Sequence, residues 1–202
     1  GLRYLENYEF RLVREALRER DAWLQRAPQL ASPLQLVLPI YRGSRRGRAM
    51  VALGLWLYDH IAGRSILPKA RWLGREELLR RDPQLQDDGL LGGYAFYDGH
   101  MDDEQLGLWV AEQTRAAGVQ IHEHSAVQRI SPSGALTLAD GQQMQFERIA
   151  NIAGPWALEL LAQSGLQAEH RLDLVRGSHL VLDAPCPQPY LLEVPHERRV
   201  FF

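Results

Sequence analysis

Apolar and polar positions change period several times along this chain, and the changes predict its elements. Over residues 5–27 apolar side chains recur at helical spacing: Leu5, Tyr8 and Leu12 share one face, with Val13, Leu17 and Leu24 close to it. Arg11, Arg14, Glu15, Arg18, Glu19 and Arg20 fill the wet side, where neighbours of opposite sign support a helix modestly. Pro28 ends the helix, because proline disfavours helical geometry in the residue before it. Pro33 and Pro39 then bracket a short apolar run, 34–38, and the polar stretch 41–48 reads as a loop and hinge. Further helices are expected at 48–61, ending at Gly63, and at 76–81 before Pro83. On this reading the first 90 residues are almost wholly helix and loop.

After Asp88 the pattern becomes mixed. Residues 93–97 read as a strand, and a helix follows over 103–117 with Asp102 as N-cap, Gln105 at the capping-box position and Gly118 at its end. Residues 119–122 and 126–130 read as extended. Asp140-Gly141 between 135–139 and 142–146 is a hairpin signal. Residues 148–152 form a further expected strand that breaks at Gly154-Pro155, a helix follows over 156–163, and 171–182 is a long extended run. The expected fold class is mixed α/β (α+β). The expected layout is a helical insertion over 1–90, a body over 91–170, and the start of a second sheet over 171–202.

Composition narrows the class. With 202 residues, 46% hydrophobic and 24% charged, the chain has the balance of a soluble globular protein and can bury a core. Twenty-five acidic against 23 basic residues give a net charge of −2, which excludes a polycation built for nucleic-acid phosphates. A single cysteine, Cys186, excludes an internal disulfide framework and a Cys-rich zinc site. The longest apolar stretch, 50–58, is interrupted by Gly54 and is too short to span a bilayer. The chain opens without Met and stops inside an apolar run, 200–202, that reads as a strand, so it is expected to be an internal piece of something larger.

Four segments invite chemistry. At Asn151-Ile152-Ala153-Gly154-Pro155-Trp156 an apolar strand ends in a small-residue turn and a helix begins at once. Backbone N–H groups at such a turn can approach a ligand closely, although an ordinary strand–helix turn has the same pattern. Arg176-Gly177-Ser178-His179 interrupts an extended run, and His179 could move a proton near neutral pH or simply be a satisfied histidine at a sheet edge. Arg3 and Tyr4 could hold an anion as a guanidinium fork with a hydroxyl donor, and Arg198-Arg199 offers the same chemistry. His122-Glu123-His124 does not make a metal site, since on a strand Glu123 points away from the two histidines.

Taken in order, these motifs carry a resemblance. Residues 1–13, Gly-Leu-Arg-Tyr-Leu-Glu-Asn-Tyr-Glu-Phe-Arg-Leu-Val, closely resemble the stretch that follows the first FAD-binding unit in FAD-dependent glycerol-3-phosphate dehydrogenases. Matches continue at Gly54-Leu55-Trp56-Leu57-Tyr58-Asp59-His60, at Tyr97-Asp98 with Met101-Asp102-Asp103, at 151–156 and at 176–179. The turn at 153–156 is shared more widely among amino-acid-oxidase-like flavoproteins. The resemblance implies an internal fragment of a flavoenzyme that oxidises sn-glycerol 3-phosphate to dihydroxyacetone phosphate, with hydride passing to FAD and electrons to membrane quinone. It implies His179 as the catalytic residue and Arg3, Tyr4 and Arg199 as substrate-binding residues. Ala126, Val127, Ala153, Gly154 and Trp156 are implied to line the cofactor, with no metal and no nucleic-acid partner. The implied location is cytoplasmic, with peripheral attachment to the inner face of the membrane as a further expectation. No GxGxxG occurs in the chain, and Glu104-Gln105 and Arg176 stand where the family usually has Ala-Arg and Lys. An amino or hydroxy acid as substrate, or a non-catalytic use of the fold, therefore stays open at this point.

Overall fold

The computed structural model describes residues 4–5, 7–63, 65–178, 180, 183, 188–193 and 200–201. The chain forms two compact units, one from 1–110 with 183–202 and one from 111–182. In the first unit, α1 (Phe10–Arg26) begins later than its pattern predicts, because Tyr8 adopts a left-handed φ of 59° that interrupts the helical path. The interruption resets the phase of the helix. Its inward face is Val13, Leu17, Arg20 and Leu24, whereas Tyr8 and Leu12 face solvent; of the expected trio only Leu5 packs against the buried cluster.

The main correction is a strand where helix and loop were expected. Residues Ala31–Tyr41 form β1, which pairs antiparallel along its length with β3 (Leu90–Met101), while β2 (Arg71–Gly74) pairs with the other edge of β3. The sheet order is β1-β3-β2. Helix α2 (Arg48–Ala62) covers one face: its Val51 and Leu55 pack with Leu36, Leu38, Ile40 and Phe96. Helix α3 (Arg75–Arg81) covers the other, where Leu78 packs with Val37, Leu73, Leu90 and Ala95. A strand covered on both sides shows a continuous apolar run rather than an alternation. The two prolines also disguise it. Val37 turns its N–H to the outer edge, to Pro189 O, so Pro33 and Pro39, at even spacing from it, lack only outward N–H groups and cost the β1–β3 ladder nothing.

A buried polar knot joins α1, α2 and β3. The Arg20 guanidinium donates to Asp21 Oδ1 through Nε (2.9 Å) and Nη2 (2.8 Å), donates to Ser65 Oγ (3.0 Å), and stands 3.8 Å from Asp98 Oδ1. Tyr58 lies beside it, its phenol pushed above the ordinary value by burial first and by the Asp98 carboxylate second. Tyr58 and Asp98 come from two of the family-like segments noted above, so those motifs contribute to packing as well as to any chemistry.

The second unit receives the end of α4 (Asp103–Ala116). Asp102 Oδ1 accepts the Gln105 N–H at 3.0 Å, the expected cap, and no residue of α4 is buried. An antiparallel meander of β4 (Val127–Ile130), β5 (Ala135–Leu138) and β6 (Gln143–Gln145) turns at Asp140-Gly141 as expected. The strands expected at 119–122 and 148–152 are not present, and of the extended run expected over 171–182 the described part 171–178 joins no ladder, while 179, 181 and 182 lie outside the described residues. Their apolar runs find no partner strand among the described residues, and without a ladder the pattern alone makes no strand. Leu174 and Val175 are 71% and 92% exposed. The helix α5 (Ala157–Gln163) follows a single 3-10 turn, Gly154–Trp156. Back in the first unit, β7 (Leu192–Glu193) pairs with β8 (Val200–Phe201), which agrees with the strand expected at the end of the chain.

Candidate functional site

The site is built on the turn between residues 149–153 and α5. Asn151 holds it from both sides: its Oδ1 accepts the Ala153 N–H (3.2 Å) and its Nδ2 donates to Ala157 O (2.9 Å). Gly154 takes a φ of +54°, and Trp156 N–H closes the turn on Ala153 O at 3.1 Å. At Gly154 the space where a Cβ would stand is open, so nothing of the protein crowds the turn. Packing of α5 on β4 completes the frame, with Ile130 N–H donating to Ser164 Oγ at 2.9 Å just past the helix.

These elements line an open cavity of about 440 Å³, whose apolar walls include Val127, Ile130, Leu136, Ile149 and Leu160. Three of the residues expected to line a cofactor, Val127, Ala153 and Trp156, meet here. Gly154 lies between two of them in the chain. Ala126 precedes Val127, and its carbonyl accepts the Ala139 N–H at 2.8 Å, so this backbone group already serves the sheet. Tyr4 belongs to the other unit and is 43% exposed. Arg3, His179 and Arg199 lie outside the described residues.

The sequence reading named Asn151 only as part of the turn motif and missed Glu159, Leu160 and Gln163, three residues that line the cavity together with Asn151. The signal was available: they stand three, four and seven residues after Trp156, the spacing of one helical face.

The donor set can be tested against FAD. Apolar walls and the Trp156 ring, 67% exposed, suit a flat ring system, and Asn151 and Gln163 bring amides that can donate or accept. Among the described residues Glu159 is the one charged residue of the lining, and with no cation in that lining the cavity does not suit a diphosphate. The residues present thus fit a ring portion of FAD and not its anionic centre. The seven-residue α5 adds little dipole to change that balance.

The family of FAD dependent oxidoreductases matches residues 1–202, the whole chain. The chain belongs to this family. Among relatives of the chain, a glycerol-3-phosphate dehydrogenase from Synechocystis sp. is 33% identical over 226 residues, covering 100% of this chain and 41% of that protein. A D-erythritol 1-phosphate dehydrogenase from Brucella abortus is 34% identical over 215 residues, covering 100% of this chain and 42% of that protein. The chain therefore spans about two fifths of the length of the relatives it matches. The X-ray structure of a glycerol-3-phosphate dehydrogenase from Bacillus halodurans complexed with FAD superposes with a TM-score of 0.54 at 20% identity, over 72% of this chain and 26% of that one. That likeness shows a shared fold.

Proposed function

We propose that this chain is part of a flavoenzyme that oxidises glycerol 3-phosphate to dihydroxyacetone phosphate. The observation that carries the reading is similarity over the whole chain to dehydrogenases named for phosphorylated polyols. Bound FAD supplies a two-electron acceptor, able to take a hydride from C2 of the alcohol. The chain's own contribution is to seat a ring of the cofactor between Val127, Ala153 and Trp156 and to exclude water there with Ile130, Leu136 and Leu160. Arg3, Tyr4 and Arg199 are assigned to the substrate phosphate, a role for guanidinium forks and a hydroxyl donor. His179 is assigned to take the proton of the C2 hydroxyl. Residues 91–170 are assigned to the FAD-binding part and 171–202 to the start of the substrate sheet, with 1–90 as an insertion.

The test is a visible spectrum of the full-length protein, followed by anaerobic addition of glycerol 3-phosphate. Flavin absorbance near ~450 nm that bleaches on addition is the expected result. A protein without flavin, or one whose flavin stays oxidised, would overturn the reading. The Brucella relative favours a second substrate, a four-carbon polyol phosphate. Bleaching by D-erythritol 1-phosphate at lower concentration than by glycerol 3-phosphate would move the assignment there.

Electron transfer to membrane quinone is part of the same proposal and asks for contact with a bilayer. No helix among the described residues is long and apolar enough to cross a membrane. Helix α2 instead leaves Met50, Leu53 and Trp56 between 56% and 63% exposed, beside the arginine-bearing loop 42–48. Such a face suits the interfacial region of anionic lipid. Full-length protein is expected to sediment with anionic vesicles and to lose most of that binding when Leu53 and Trp56 are both replaced by serine. Equal sedimentation of the double variant would overturn the assignment of this face.

A further inference from the structure

Arg48 opens α2, and its side chain rests on an aromatic platform built by the sheet. Trp72 of β2 stands opposite Tyr94 of β3, and the two rings meet edge to face with centroids 5.0 Å apart. Gly92, two residues before Tyr94, leaves the room the indole needs, since a Cβ there would run into the ring. Both rings pack against the buried cluster that holds Val51 and Leu55 of α2. The Arg48 guanidinium lies over the Trp72 ring, with Cζ 4.1 Å from its centroid.

Neighbouring arginines are used differently. Arg46, Arg71, Arg75 and Arg81 of the same unit each stand against a carboxylate. Arg48 has no carboxylate partner among the described residues, and contact with an aromatic ring leaves its fork of N–H donors available to an oxygen ligand. A solvated arginine must be ordered before it can hold an anion with both arms. At Arg48 the ring has already done much of that ordering.

The surroundings give the class of anion. Arg48 begins the helix that exposes Met50, Leu53 and Trp56, and the first turn of that helix carries no acidic residue to repel an anion. An anion held at the margin of an apolar, interfacial helix face is the phosphate of a lipid headgroup. Arg42 also lacks an ion-pair partner among the described residues, but it has no aromatic seat and offers charge alone.

We propose that Arg48, seated on Trp72, grips the phosphate diester of a membrane phospholipid and anchors the start of α2 at headgroup level. The proposal rests on the membrane reading of the α2 face and adds the lipid group that this end of it binds. Because a bidentate grip depends on a planar fork in a fixed place, it answers to geometry as well as to charge.

The experiment sediments full-length holoenzyme with vesicles of phosphatidylglycerol and phosphatidylcholine in equal parts, and records thermal midpoints as the check on folding. Arg48→Gln is expected to weaken vesicle binding about tenfold, the effect of one lost charge-assisted contact. Arg48→Lys keeps the charge without the fork, and Trp72→Leu keeps the arginine without its seat; each is expected to weaken binding about fivefold. Arg42→Lys, which preserves a charge that needs no geometry, is expected to stay within about twofold of the wild type. Wild-type binding by Arg48→Lys would reduce Arg48 to a point charge and overturn the grip, as would equal losses in Arg48→Lys and Arg42→Lys. Full binding by Trp72→Leu overturns the role of the seat, and if that variant has a lowered midpoint, Arg48→Lys decides alone. Loss of binding in the Leu53 and Trp56 double serine variant with none in either Arg48 variant leaves the membrane reading standing and sinks only the grip. Wild-type protein that does not sediment at all overturns both.

Discussion

Arg20 shows how a single residue can serve two structures at once. Its side chain is 8% exposed and reaches carboxylates on α1 and β3 together with the Ser65 hydroxyl, so removing it strands Asp21 and Asp98 near a low-dielectric region. Arg20→Ala is expected to destabilise the first unit by about 3 kcal/mol, read from the urea midpoint, because the partner charges are left uncompensated. Tyr58 gives the same knot a pH signature. Its folded phenol resists ionisation, while in the unfolded chain it ionises near the ordinary value of 10.0. Below that pH the phenol is neutral in both states and the group costs nothing. Above it the unfolded chain alone loses the proton, so stability falls as pH rises, at up to about 1.4 kcal/mol per pH unit for one group. Tyr41 is raised in the same direction, by burial first and Asp82 second, so Tyr58→Phe is expected to reduce the alkaline loss without abolishing it. Denaturation midpoints of both proteins between pH 8 and 11 would check this.

At the scale of elements, those with self-contained signals were legible and those that need a distant partner were not. Helix α4 announced its start at Asp102 and its end at Gly118, and the structure gives both, with Gly118 at a φ of +83°. Asp102→Ala is accordingly expected to cost about 1 kcal/mol, seen as a lower thermal midpoint of the full-length protein. The hairpin at Asp140-Gly141 was legible for the same reason, its turn being local. Strand β1 was not, since its prolines argue against a strand until one knows they face outward, and that follows only from pairing with β3, some sixty residues away. Residues 148–152 failed in the opposite sense: their composition is that of a strand, and no ladder partner stands beside them among the described residues. At the site the turn residues could be read from the sequence, and helical spacing put Glu159 and Gln163 on the face of Trp156, but that this face lines a cavity follows only from the packing of α5 on β4.

For the molecule as a whole, cofactor and fold are linked by mass action. A ligand that binds only the folded state stabilises it by about 2.7 kcal/mol at one hundred times its dissociation constant. Added FAD is therefore expected to raise the thermal midpoint of flavin-stripped full-length protein, and Trp156→Ala, which removes one wall of the cavity, to shrink that rise. An equal rise in the variant would show that the cavity takes no part in holding the cofactor. The edge of β1 has a consequence of another kind, in the order of events as the chain leaves the ribosome. Tyr190 bridges Val37 at that edge and follows it by 153 residues. At synthesis rates of about 5–20 residues per second, the outer edge of β1 waits on the order of 8–30 s for the segment that covers it. An open strand edge is a template for any passing chain. Pro33 and Pro39 leave this one only a narrow window of outward donors, so a nascent chain of this sequence is guarded against aggregation during the interval before its own residues 188–193 arrive.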